Sequence, residues 1–281
     1  MKRNTFSKLI LLVLLFAFID TLLIGHARDT GKMHRLTAKT VKSDAFRAQS
    51  LNSDILAFME QQSASQRGTA AGLYLLESKF GHEGFYDTFT QAKMTRMENK
   101  WNSIKEWADY ESYCNAIWND ITYFPVPIST IDKKLTVTFT DSWMGERSYG
   151  GKRAHEGTDI MAGENVAGRY PVVSMTDGVV TNKGWLEKGG YRIGITSPGG
   201  AYFYYAHLSS YANIEEGDTV KAGQLLGFMG DTGYGEEGTT GKFNVHLHVG
   251  IYIYPGGDEI SVNPYWILKF LENHKLNYAY S

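Results

Sequence analysis

Apolar positions along this chain follow three rhythms. The first 27 residues, MKRNTFSKLILLVLLFAFIDTLLIGHA, open with a basic leader (Lys2, Arg3, Lys8) and continue with eleven apolar residues, Leu9 to Ile19. Asp20 interrupts the run, a shorter apolar patch from Leu22 to Ile24 comes next, and Gly25 and Ala27 stand where a signal cleavage site takes small residues. A membrane span takes about 20 apolar residues, and a carboxylate inside one costs a few kcal/mol. Residues 1–27 therefore read as an export signal or a membrane anchor, and both readings place the rest of the chain outside the cytoplasm. Residues 28–50 mix Lys, Arg, Thr and Ser without periodicity, which predicts a flexible tether.

The second rhythm is helical. SDILAFMEQQ offers a Ser or Asp cap before Ile55, Leu56 and Met59. TAAGLYLLESKF predicts a further helix ending at Gly81. A long helix is expected from Thr88 to Asp120, with Met94, Met97, Trp101, Ile104, Ala108, Cys114 and Ile117 along one stripe. Packing in a small bundle accounts for that stripe, and no chemistry is assigned to residues 28–122.

Pro125 and Pro127 in YFPVPIS push their predecessors into extended conformations and end the helical region. Beyond them the rhythm shortens to that of strands: KLTVTFT, YPVVSM, GVVTNKGW, YRIGITS, AYFYYAHLSS, QLLGFMG and VHLHVGIYIY, separated by Gly, Asp, Asn and Pro. Such spacing predicts an antiparallel all-β domain over 123–265, then a helix in NPYWILKFLENHK and a tail over 266–281. The expected fold class is α+β multidomain, a small N-terminal helical region followed by a compact antiparallel all-β domain.

One strand does not suit a plain core. In NVHLHVGIY, Val245, Leu247, Val249 and Ile251 fall on one parity and His246, His248, Gly250 and Tyr252 on the other. Both imidazoles leave the same face, with Cα atoms about 6.5–7 Å apart, close enough to share a metal ion or a polarised water. Taken alone, so short and common a pair reads first as two histidines on the wet face of a sheet.

Composition narrows the choices. Hydrophobic content of 43% and charged content of 21% are ordinary for a globular protein, and a formal net charge of −2 speaks against a nucleic-acid partner. Cys114 is the sole cysteine, so a metal site within the chain must use His, Asp or Glu. Among the other histidines, RAHEGTDIMAG sets His155 and Asp159 four apart; Gly157 and Thr158 disfavour a helix there, so a loop running into a strand at Asp159–Ile160 is expected. YYAHLSS puts His207 at the end of a strand carrying Tyr202, Phe203, Tyr204 and Tyr205. Nothing marks His26, His34, His82 or His274. Four histidines and an aspartate in three short motifs suit a catalytic metal site: three imidazole or carboxylate ligands leave a position for water, and two further groups manage protons and oxyanion charge.

In order, H-x-x-x-D, a strand-end YAHLS and H-x-H resemble the LytM and lysostaphin type of zinc metallopeptidase, the M23 family, over residues 125–265. VSMTDGVV, GYRIGI and EEGDTVKAGQLLGFMGDTGYG extend the likeness. The resemblance implies His155, Asp159 and His248 as Zn²⁺ ligands and His207 and His246 as catalytic histidines. It further implies a compact antiparallel β metallopeptidase domain with a groove floored by the sheet, hydrolysing peptide bonds of peptidoglycan in stem peptides or cross-bridges. Glu156, after the first ligand, reads as a surface or supporting group. Residues 230–242, GDTGYGEEGTTGK, read as a flexible groove wall; Lys242 lacks the following Ser or Thr of a phosphate loop. Two other readings stay open at this level: a catalytically silent relative that binds cell wall or regulates a hydrolase, and a peptidase acting on other proteins.

Overall fold

Helix α1 (Lys2–Met33) runs through Asp20 without a break. Its segment Phe6–Gly25 has 20 residues of mean hydropathy 2.4, none of it buried. At 1.5 Å per residue that is about 30 Å, the thickness of a bilayer's hydrocarbon core. The computed structural model describes residues 2–33, 36–81, 88–147 and 153–281, without the side chains of 2–5, 26–33, 147 and 153. His34, His82 and the side chain of His26 lie outside the described residues.

The stretch expected to be a tether is packed from residue 36 onward. A 3-10 turn (Thr40–Lys42) leads into α2 (Asp44–Arg47), where the Phe46 amide donates to Ser43 Oγ at 3.2 Å. Leu36, Val41, Phe46 and Leu51 are all buried. They stand five residues apart, a spacing that belongs to neither helix nor strand, so no periodicity reveals them.

Helix α3 (Ser53–Glu60) is capped by Asn52, whose Oδ1 accepts from the Ile55 amide at 3.1 Å, one residue earlier than the caps expected. Helix α4 (Ala64–Glu77) follows. The long helix expected from Thr88 to Asp120 is two, α5 (Gln91–Trp101) and α6 (Trp107–Trp118). Residues 102–106 separate them; Ser103 Oγ donates to the Lys100 carbonyl at 2.8 Å, the local competition that makes Asn102 and Ser103 poor in helix interiors. The break resets the phase. Trp107, Tyr110, Cys114 and Ile117 turn inward, while Ala108 is exposed. Helix α4 crosses α6 closely because Gly68 and Gly72 lack side chains: a Cβ on Gly68 would lie 2.4 Å from Asn115 Cα, and one on Gly72 2.9 Å from Cys114 Sγ.

The short strands β1 (Ile128–Ser129), β2 (Val137–Phe139), β3 (Glu146–Arg147) and β4 (Arg153–Ala154) come first. Next are β5 (Thr158–Ala162), β6 (Pro171–Val173), β7 (Gly178–Leu186), β8 (Gly190–Thr196) and β9 (Tyr202–Tyr211). The last are β10 (Thr219–Val220), β11 (Leu225–Met229), β12 (His246–Ile253), β13 (Ile260–Val262) and β14 (Asn277–Tyr278). The main sheet has the order β10-β7-β8-β9-β12-β5-β2, with β11 bridging β6 and β9 and β13 on β12. Every pairing in it is antiparallel, as expected of an N-terminal helical region followed by an antiparallel β domain.

Helix α7 (Tyr265–Leu271) buries Ile267, Leu268, Phe270 and Leu271, and Phe270 meets Trp118 edge-on at 6.2 Å. The helical region is joined to the sheet through Arg47. Its carbonyl accepts from the Asn263 amide at 2.8 Å, and its guanidinium bonds Ser261 O at 3.0 Å and Glu156 Oε1 at 3.1 Å.

Candidate active site

Strand β12 lies between β5 and β9, and its register brings the site together. His248 stands opposite Asp159 on β5 and opposite Ala206 on β9; His246 stands opposite Met161. Because alternate residues leave opposite faces, Leu247, Val249 and Ile251 enter the core, while His246, His248 and Tyr252 line a groove of about 890 Å³.

His155 comes from the segment between β4 and β5. Its amide donates to Gly145 O at 3.0 Å and its carbonyl accepts from the Met144 amide at 2.8 Å. Its Nδ1 lies 3.1 Å from the Ser142 carbonyl and 3.0 Å from Ser142 Oγ. A carbonyl only accepts, so Nδ1 carries the proton and Nε2 presents a lone pair. That Nε2 is 3.1 Å from Asp159 Oδ1 and 3.1 Å from His248 Nδ1, and the last two are 3.0 Å apart. Three donor atoms thus form a nearly equilateral triangle. Ligands placed tetrahedrally at about 2.0–2.1 Å from one ion are about 3.3 Å apart, so the donor set fits a small divalent metal. Lone pairs facing one another at this separation need a cation or proton between them.

Electrostatics agree with ligand character. Burial alone would raise the Asp159 carboxyl, but the bonds to His155 and His248 and the neighbouring imidazole charges reverse this and hold it far below the usual carboxylate range. Burial likewise pushes His248 down, towards its neutral form.

His207 reaches the groove by breaking the rule that placed the others. Along β9, Phe203 and Tyr205 point into the core and Tyr202, Tyr204 and Ala206 border the groove; simple alternation would send His207 inward. Between Tyr205 and Leu208 the register against β8 slips, with three steps on β9 matching two on β8, and His207 adopts φ +63°. This bulge re-aims the imidazole into the groove. Its Nδ1 donates to the Thr232 carbonyl at 2.8 Å, and His246 Nδ1 donates to the Asn244 carbonyl at 2.7 Å. Each ring therefore keeps a free lone pair on Nε2. The two rings are 4.7 Å apart, and His246 Nε2 is 3.8 Å from Asp159 Oδ1. Burial, then the charges of His246 and His248, push His207 well below an ordinary histidine.

Phe243 packs edge-on against both rings, at 4.6 Å from His207 and 4.9 Å from His246, and Tyr234 lies nearly parallel to His207 at 6.3 Å. Tyr234 belongs to the wall expected over residues 230–242, which is braced by the Gly241 amide on Asp231 Oδ2 at 2.8 Å and by Trp185 Nε1 on Gly235 O at 3.2 Å. Glu156 is half-exposed at the groove and holds Arg47. His274, at the far side, pairs with Glu60 at 3.2 Å. No motif signalled Phe243 or Ser142, and Tyr234 was covered only as part of the expected groove wall.

Gly157, marked in the sequence only as a poor helix former, lies directly against His248. A Cβ there would lie 2.4 Å from His248 Cε1 and 2.6 Å from the Val249 carbonyl, which the sheet holds in place. We expect Gly157→Ala to lower stability by about 1–3 kcal/mol and metal affinity by about tenfold or more, measured by thermal melts and chelator competition. Unchanged metal affinity would show that the segment shifts freely over His248.

The LytM N-terminal domain profile matches residues 31–120, and the Peptidase family M23 profile matches residues 153–264. A crystal structure of a presumed glycyl-glycine endopeptidase, LytM, from Ruminococcus gnavus ATCC 29149 is 51% identical, with a TM-score of 0.82 over 89% of this chain and 99% of that one.

The chain belongs to the M23 peptidase family.

Both of its parts are shared with that relative, including the helical region. M23 peptidases are metallopeptidases, in keeping with the His–Asp–His triangle. An L-Ala–D-Glu endopeptidase of Bacillus subtilis (strain 168) is 42% identical over 153 residues, 54% of this chain and 44% of that protein. The glycyl-glycine endopeptidase ALE-1 of Staphylococcus capitis is 42% identical over 66 residues, 23% of this chain and 18% of that protein. The chain thus spans less than half the length of these two curated relatives.

Proposed function

We propose that this M23 peptidase is a zinc-dependent endopeptidase that hydrolyses peptide bonds of bacterial peptidoglycan outside the cytoplasm. The carrying observation is the triangle of His155 Nε2, Asp159 Oδ1 and His248 Nδ1, at 3.0–3.1 Å on each side, with two further histidines beside it. These three residues would hold Zn²⁺; when bound, the ion supplies Lewis acidity that lowers the pKa of a water and polarises a carbonyl.

The chain's own residues manage the protons. His246, anchored through Nδ1, offers Nε2 next to the ligand triangle and takes the proton of the attacking water; the resulting imidazolium returns it to the leaving amine. His207, anchored in the same way 4.7 Å away and kept neutral by its burial, offers its Nε2 lone pair as an acceptor that positions the attacking water. Phe243 and Tyr234 exclude water from both rings and fix their tilt. The apolar segment of α1 fits export or membrane attachment, either of which brings the groove to wall peptides.

The test uses the purified full chain on cell-wall sacculi, following turbidity, with released fragments read by mass spectrometry. Turbidity should fall, a chelator should stop it, and added zinc should restore it. Stoichiometric zinc with no cleavage of any wall preparation would overturn the proposal in favour of a silent, wall-binding relative.

A further inference from the structure

The relatives' names leave the cut undecided between an acidic site (L-Ala–D-Glu) and an uncharged one (glycyl-glycine). The groove itself carries charge. Its lining includes the cations Lys188, Arg192 and Lys242 and the acids Glu156, Asp159 and Glu259. Every acid is engaged: Asp159 by the histidines, Glu156 by Arg47 at 3.1 Å, and Glu259 by the Tyr254 hydroxyl at 3.2 Å. None of the three cations has an ion-pair partner among the described residues. Cations and acids in the lining are equal in number, so the groove selects an anion by where a cation stands and not by a net positive field.

Arg192 stands apart from the two lysines. It leaves β8 on the groove face, between the fully buried Ile193 and the bulge of β9, since Tyr191 pairs with Leu208 and Ile193 with Tyr205. Its Nη1 is buried without any hydrogen-bond acceptor. A buried donor left unpaired is destabilising, a cost that an arriving anion would relieve. Ala206, beside Arg192 in the bulge, is paired with His248 on the next strand. Two strand spacings of about 4.8 Å separate the backbones of Arg192 and His248 by about 10 Å. An extended peptide advances about 3.3 Å per residue, so a guanidinium at this place meets a substrate within two or three residues of the bond being cut. Arginine's fork matches a carboxylate with two parallel bonds.

We infer that Arg192 is a specificity-determining residue that pairs with a free carboxylate of the substrate close to the scissile bond, so that the enzyme cuts beside an acidic residue and not within a glycine bridge. This rests on the endopeptidase reading above and adds the substrate class to it.

The experiment compares three synthetic peptides with the zinc-loaded full chain: a stem-type peptide containing L-Ala–D-Glu, its twin in which the free glutamate carboxylate alone is a carboxamide, and pentaglycine. The carboxylate peptide should exceed its twin in kcat/KM by about 10- to 100-fold. Arg192→Gln should collapse that ratio to within about threefold while zinc content stays at the wild-type level, and Arg192→Lys should keep part of it, because charge survives without the fork. A ratio unchanged in Arg192→Gln, or wild-type preference for the carboxamide or for pentaglycine, would overturn the assignment and leave the endopeptidase standing. Cleavage of none of the three would remove the endopeptidase reading, and this assignment with it.

Discussion

Replacing His248 by alanine is expected to abolish metal binding and turnover together. His248 Nδ1 sits 3.0 Å from Asp159 Oδ1 and 3.1 Å from His155 Nε2, so it supplies one corner of a three-donor set. Losing even a contact that merely supports a ligand costs about 10–100-fold in affinity, and losing a ligand costs more. The expected result is metal content below detection after dialysis and no measurable cleavage of sacculi. The fold should survive, because Leu247, Val249 and Ile251 on the opposite face of β12 still fill the core. Metal analysis with a far-ultraviolet circular dichroism spectrum checks both halves. Wild-type metal content in a folded His248→Ala protein would show that the ligands lie elsewhere.

His246→Ala should behave differently: metal retained, turnover slowed by about 10²–10⁴-fold, the usual contribution of a positioned proton-transfer group. The reasoning lies in the hydrogen bonds. Nδ1 is committed to the Asn244 carbonyl, and Nε2 stands 3.8 Å from Asp159 Oδ1, too far for a direct bond but beside the ligand triangle, where the proposed mechanism deprotonates water. The loss should appear in kcat with little change in KM, since the role proposed for the ring is to handle protons and not to grip the peptide. His207→Asn is the better partner variant than alanine, because asparagine tolerates the positive φ of 63° that the bulge imposes. It too should retain metal and lose kcat. Metal loss in either variant would move that residue into the ligand set, and near-normal turnover would remove it from the mechanism.

The contrast between these histidines shows how far local pattern reaches. His246 and His248 were legible because β12 keeps strict alternation, with Leu247, Val249 and Ile251 buried opposite them. His207 was legible only as a residue type in a suggestive string. Parity along β9 assigns it to the core with Phe203 and Tyr205, and the extra residue in the register against β8 is what turns it outward. A bulge arises from the pairing of two strands, so neither strand shows it alone. The helical half divides likewise. Helices α3 and α4 follow their apolar spacing, whereas the break at Asn102–Ser103 moved Trp107 inward in place of Ala108. Leu36, Val41, Phe46 and Leu51 were hidden because their own spacing carries no signal; the 3-10 turn and α2 pack on α6 and β13, where Phe46 meets Tyr110.

Residue order alone determined the longer strands, the apolar span at the N-terminus, and the supply of imidazole and carboxylate groups that a metal can use, because these depend on near neighbours. Tertiary structure decided the register that sets Asp159 opposite His248 and the Thr232 carbonyl that chooses the tautomer of His207. It also decided the unpaired guanidinium of Arg192 in the groove. Hydrogen bonding and burial between residues tens of positions apart exist only once the sheet has closed around them.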